Sequence, residues 1–164
     1  LTLGGTLRRG YAAATKDLVL YTDADLPFDL QELPRAVRLL EYQQADVVAA
    51  YRWRPDAAFY RGHFPGNPVT PGVLLVESMA QAAVVALGIY LLEKEVAAEA
   101  GKLVTLFTDV NVEFSGLVRP GERVVIHGKK LFFRRRKLRS EAEMRLEDGT
   151  LVCSGTLSGM GVPA

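Results

Sequence analysis

The spacing of apolar residues changes several times along this chain, and each change marks a different kind of element. Residues 5–15 read as a short helix and residues 17–21, DLVLY, as a buried strand. An Asp- and Pro-containing loop follows at 22–29. Leu33, Val37 and Leu40 then recur at helical spacing, which predicts an amphipathic helix over about 33–44. Pro34 fits the first turn of that helix, where a missing N–H costs nothing. Residues 45–53, ADVVAAYRW, read as another strand, so the first third suggests a piece of an α/β unit.

The texture changes after Trp53. A Gly/Pro loop at 62–72 leads into a segment, from Gly72 to about residue 96, that is apolar on nearly every side. A helix of that kind is wrapped by other structure. From residue 103 the period drops to two. Residues 103–114 and 123–133 read as strands separated by a turn at 120–122. Over 137–147, Leu138, Ala142, Met144 and Leu146 point one way, and Arg139, Glu141, Glu143, Arg145 and Glu147 the other. Asp148-Gly149 then predicts a hairpin into a last strand. The pattern is that of one buried helix against an antiparallel sheet apolar on one face.

Composition narrows the class rather than the function. The 164 residues are 49% hydrophobic and 24% charged, as expected of a folded domain, and the net charge of +1 points to neither nucleic acid nor membrane. The charge is uneven: residues 1–51 carry five basic and seven acidic side chains, the remainder fifteen and twelve. A single cysteine, Cys153, rules out an internal disulfide and fits a reducing, cytoplasmic setting. The chain begins at Leu1 and displays no basic region followed by an apolar core, so no leader peptide is expected. Residues 73–92 are long and apolar enough to span a bilayer, but Glu77, Ser78, Gln81 and Gly88 interrupt them. A core helix is the expected outcome.

Glu77 is the residue that needs explaining. Burying a polar group without a partner costs roughly 2–7 kcal/mol, and a carboxylate more. It therefore needs a polar neighbour, an altered protonation state or a place at the open end of the helix. Gln81 lies four residues on, on the same face, and can hydrogen-bond it. Gly72 lies near the helix start, where unpaired N–H groups can polarise a carbonyl oxygen. His63, in the preceding loop, is the nearby group able to move protons near neutral pH. Acid, base and carbonyl-polarising donor are the parts that remove water from a β-hydroxy thioester.

The same residues carry a family resemblance. His63-Phe64-Pro65-Gly66, Pro68-Val69, Pro71-Gly72-Val73-Leu74 and Val76-Glu77-Ser78-Met79-Ala80-Gln81 resemble the signature of the β-hydroxyacyl-acyl-carrier-protein dehydratases. The tail, with VEFSGLVRPGERV and DGTLVCSGTLSGMGV, is similar to the same superfamily. The resemblance implies an α+β hot-dog fold, a curved antiparallel sheet around one long helix, over residues 53–164. It implies His63 as catalytic base and Glu77 as acid on the β-hydroxyl. The Gly72 N–H would hold the thioester oxygen, Gln81 would orient Glu77, and the Val69 carbonyl would orient the His63 ring. It further implies a homodimer or a dimer-based higher oligomer, with the His of one subunit facing the Glu of the other, an acyl carrier protein as partner, and no metal or other cofactor. Some members have Asp where this chain has Glu77 and also isomerise the double bond, so Glu77 favours dehydration alone.

Two stretches fall outside that core pattern. KKLFFRRRKLR, residues 129–139, reads either as a solvated edge strand protected by charge or as a docking surface for an acidic carrier or its phosphopantetheine phosphate. In the second case Arg134, Arg135 and Arg136 are among the contacting residues. Residues 1–52 are similar to the middle of a truncated family 2 glycosyltransferase, in which Asp23 and Asp25 would correspond to a metal- and nucleotide-binding Asp-x-Asp. The remaining parts of such an enzyme are missing, so an acidic loop is expected there. The dehydratases' usual N-terminal strand is absent or replaced. Thioester hydrolysis, a non-catalytic acyl-binding role and residual glycosyltransferase function remain as alternatives to dehydration.

Overall fold

The computed structural model describes residues 3–22, 29–100 and 103–163. Helix α1 (Leu3–Ala13) comes first, and a 3-10 turn (Leu30–Glu32) leads into α2 (Leu33–Gln43). The order continues with β1 (Val47–Arg52), a second 3-10 turn (Ala58–Arg61), and α3 (Gly72–Ala80). A π-helical turn (Gln81–Ala86) joins α3 to α4 (Leu87–Ala100). Strands β2 (Leu103–Phe114), β3 (Arg123–Arg134), β4 (Lys137–Leu146) and β5 (Leu151–Pro163) complete the chain. Pro34 sits in the first turn of α2, as its position in the sequence requires.

The five strands form one antiparallel sheet in the order β1-β3-β4-β5-β2. The apolar run from Gly72 is the central helix of this sheet. Leu75, Met79, Ala83 and Val84 from the helix meet Val124, Ile126, Ala142, Met144 and Leu157 from the strands, all nearly inaccessible to solvent. The alternation in β4 follows the sequence pattern, with Leu138, Ser140, Ala142 and Met144 buried and Glu141 exposed. Gly72–Glu95 is long and apolar enough to cross a membrane by length and composition. Here the sheet occupies one side of it.

The helix lies unusually close to the sheet at its π turn. A Cβ on Gly128 would come within 2.8 Å of the Ala83 Cβ, and one on Gly159 within 2.4 Å of Val84 Cγ1. The irregular turn leaves carbonyls without ordinary helical donors. The buried Ser140 hydroxyl of β4 donates to the Ala83 carbonyl at 2.7 Å. Ser140→Ala leaves that acceptor unpartnered, with an expected cost of about 1–3 kcal/mol. A urea unfolding midpoint unchanged by the substitution would contradict this role.

Two sequence expectations come out differently. Residues 18–22 form no strand, and Leu18, Val19, Leu20 and Tyr21 are exposed. Strand propensity alone does not supply a neighbour to pair with. The α/β unit suggested for the first third is also absent, because β1 joins the antiparallel sheet by pairing with β3. The boundary drawn at residues 52 and 53 therefore falls immediately after a strand of the sheet. The basic stretch forms the connection of β3 to β4, and because β1 pairs with β3 only as far as Gly128, residues 129–134 have no strand neighbour on that side among the described residues, in keeping with a charged edge. Arg135 and Arg136, with φ of 51° and 62°, make its two-residue turn. Asp23 and Asp25 lie outside the described residues.

His127, on β3, is 7% exposed, and neither ring nitrogen has a hydrogen-bond partner among the described residues. Burial pushes its pKa below the usual 6.5. Glu143, its partner across β3 and β4, opposes that shift and Arg145 reinforces it. The unfolded chain therefore takes up this proton more readily than the folded one. Stability is full above about pH 6.5 and falls as the pH drops below it. His127→Gln is expected to flatten that part of the melting temperature profile relative to the parent chain, and identical profiles would refute the assignment.

Candidate active site

The Gly/Pro loop before α3 is held at several points. The Tyr60 hydroxyl and Thr70 Oγ1 are 2.7 Å apart and buried, and the Thr70 N–H donates to the Val118 carbonyl at 2.7 Å. Gly66 takes φ of 79°, a conformation that a side chain disfavours, and lets the chain double back. The Val69 N–H then donates to the His63 carbonyl at 2.9 Å. Outside the turn, the Arg119 guanidinium donates to Asn67 Oδ1 at 3.0 Å.

This loop fixes the tautomer of the imidazole. His63 Nδ1 lies 3.3 Å from the Val69 carbonyl oxygen, which can only accept. Nδ1 therefore carries the proton, and in the neutral ring Nε2 keeps its lone pair available as a base. The ring is partly buried, with the exposed Phe64 tilted against it at a centroid distance of 4.4 Å.

Glu77 and Gln81 answer the question raised by the sequence. Both face away from the sheet and are exposed, in line with Val73 one turn earlier. The Gln81 amide donates to Glu77 Oε1 at 2.7 Å, which fixes the carboxyl group. Gly72 opens α3 behind Pro71, where the first N–H groups have no acceptor within the helix. The Phe114 ring covers it, 3.1 Å from where a Cβ would stand. Sequence reasoning missed Phe114 and the Tyr60–Thr70 pair. Phe114 lies within VEFSG, a motif quoted for the superfamily without a role, and Tyr60 carried no signal of its own.

Within one chain these residues form two groups. His63 bonds to Val69 and Glu77 bonds to Gln81, and no hydrogen bond joins His63 to Glu77 among the described residues. Arg134, Arg135 and Arg136 are elsewhere. The Arg136 carbonyl accepts from the Gly161 N–H at 2.8 Å, and Gly161 pairs with Thr105 near the start of β2, whereas Gly72 meets Phe114 at its end. The nine residue steps from Thr105 to Phe114 span about 30 Å.

A family model described as a FabA-like domain matches residues 33–156. The chain belongs to the FabA-like family. The 3-hydroxyacyl-[acyl-carrier-protein] dehydratase FabZ of Streptococcus sanguinis is 38% identical over 122 residues, covering 74% of this chain and 81% of the relative. The FabZ of Streptococcus mutans is likewise 38% identical over 122 residues, with the same coverage. The match to the FabA-like model starts at Leu33 and so takes in α2 and β1, but not α1. Among solved structures, a fluoroacetyl-CoA thioesterase FlK variant with acetyl-CoA aligns at a TM-score of 0.55 and 17% identity, over 71% of this chain and 86% of that one. A Thermus thermophilus thioesterase-superfamily protein aligns at 0.53 and 16% identity, over 71% and 80%. At such identities the structural likeness establishes the hot-dog fold alone, and this FabA-like chain has that fold.

Proposed function

We propose that this chain is a hydro-lyase that dehydrates (3R)-hydroxyacyl groups on acyl carrier protein to trans-2-enoyl thioesters, in the cytoplasmic synthesis of acyl chains. The observation that carries this reading is the paired arrangement of an oriented imidazole and an oriented carboxyl group. Val69 presents His63 Nε2 as a base, and Gln81 holds Glu77. His63 Nε2 takes a proton from the carbon beside the thioester carbonyl. The Gly72 N–H, at the start of α3, stabilises the charge that develops on the thioester oxygen. The carboxyl of Glu77 protonates the departing hydroxyl, and water leaves. An imidazolium and a carboxylate remain, and proton return from one to the other resets the site.

A second copy completes this site. Among the described residues the outer edge of β2 has no strand partner, and this strand exposes Val104, Leu106, Phe107, Val110 and Phe114 on its two faces. A long apolar edge of that kind is a place for another strand to pair. Pairing of two copies there supports a homodimer in which His63 of one subunit meets Glu77 of the partner subunit. The cationic turn at Arg134, Arg135 and Arg136 fits an acidic carrier.

The test is hydration of a crotonyl thioester, followed by loss of the enoyl ultraviolet absorbance. The expected result is turnover without release of free thiol. Thiol release would assign the chain to thioester hydrolysis, and binding without turnover would make it an acyl-binding subunit.

A further inference from the structure

The central helix presents one row of side chains away from the sheet: Val73, Glu77, Gln81, Val85 and Ile89, at steps of four residues. The first three are exposed. Val85 is half-buried and Ile89 buried, packed with Leu7 and Tyr11 of α1. Beside this row runs the inner side of β2. Val110 pairs with the core residue Leu157, and Phe107 with Gly159, whose missing Cβ would meet Val84 of the helix. Phe107, Val110 and Phe114 therefore face the helix, yet they are 47%, 44% and 50% exposed. Exposed apolar side chains of the edge strand thus flank the helix from Gly72 and Glu77 onward.

Helix α1 packs against the far end of this helix row, on Val85 and Ile89. Tyr11 meets Tyr90 edge-on, with ring centroids 5.7 Å apart and planes at 86°. On the other side, the Arg8 guanidinium donates to the Leu103 carbonyl at the start of β2. The helix is thereby fastened both to α4 and to the edge strand, from a part of the chain outside the family-matched residues.

We propose that α1 is the end wall of the acyl channel, with Leu7 and Tyr11 limiting the length of chain that the site accepts. This rests on the dehydratase reading above and adds the substrate class to it. From Glu77 to Val85 the helix rises about 12 Å, which an extended carbon chain covers in about ten bonds. Short and medium acyl groups fit between Glu77 and α1, and longer ones meet Tyr11.

The experiment measures kcat/KM for a series of trans-2-enoyl thioesters lengthened from crotonyl in two-carbon steps, for the parent chain, Tyr11→Ala and Leu7→Ala. The crotonyl chain ends well short of α1, so the quantity read is the ratio of each longer substrate to crotonyl. In the parent this ratio drops sharply beyond the medium lengths. In both variants the drop moves to longer chains, with a gain of about tenfold for the first two-carbon step newly admitted. An unchanged ratio in both variants overturns the assignment. Loss of crotonyl turnover in the variants also overturns it, because α1 would then support the whole site rather than bound the channel. Absence of crotonyl turnover in the parent chain is the separate failure of the dehydratase reading.

Discussion

Replacing Glu77 by Gln, or His63 by Ala, is expected to lower crotonyl thioester hydration by a factor of about 10²–10⁴ while leaving the fold intact. That is the range contributed by one positioned acid or base. The fold should survive because Glu77 is exposed and its bond to Gln81 joins two exposed side chains. His63 lies in a loop whose anchors, Tyr60 with Thr70 and Thr70 with Val118, do not involve the imidazole. Unchanged melting temperatures together with the loss of turnover are the expected pair of results. A Glu77→Gln chain that turns over at the parental rate would remove the carboxyl group from the mechanism.

The largest effect on stability is expected at Gly155. This residue of β5 pairs with Val112 of β2 on one side and Ala142 of β4 on the other. A Cβ built there would stand 2.0 Å from the Asn111 carbonyl oxygen and 2.7 Å from the Val112 Cα. Both are backbone atoms, so no side chain can turn aside. The β2 ladder must move off β5, or β5 must distort. Gly155→Ala is expected to cost about 3 kcal/mol or more, lowering the melting temperature by roughly 10 °C. Because β2 carries Phe114 over Gly72, the same change should also impair turnover. A melting temperature within about one degree of the parent would contradict the packing of these strands.

Much of this molecule was legible because its signals are local. The strict alternation over 137–147 fixed β4 and its buried face, and the apolar run after Gly72 marked the central helix. Glu77 and Gln81 meet because four residues make one helical turn, and the Gly/Pro loop brings His63 back to Val69 six residues on. Features that depend on distant partners were not legible. The π turn is packed against Gly128 and Gly159 and bonded to Ser140, which lies 57 residues beyond Ala83. Residues 17–21 have the composition of a buried strand, but composition does not say whether a neighbouring strand has a free edge. The seven cations of residues 129–139 obscured a two-residue turn, because Arg135 and Arg136 occupy positions where Gly or Asn are expected.

The central claim is that an imidazole and a carboxyl from two copies of the chain act on one substrate. Mixing the two inactive variants tests it most directly. His63→Ala and Glu77→Gln chains, unfolded and refolded together in equal amounts, form mixed dimers in about half of the population. Each mixed dimer has one site in which both groups are intact, so about a quarter of the parental activity should return. A mixture no more active than either variant alone would contradict a shared site.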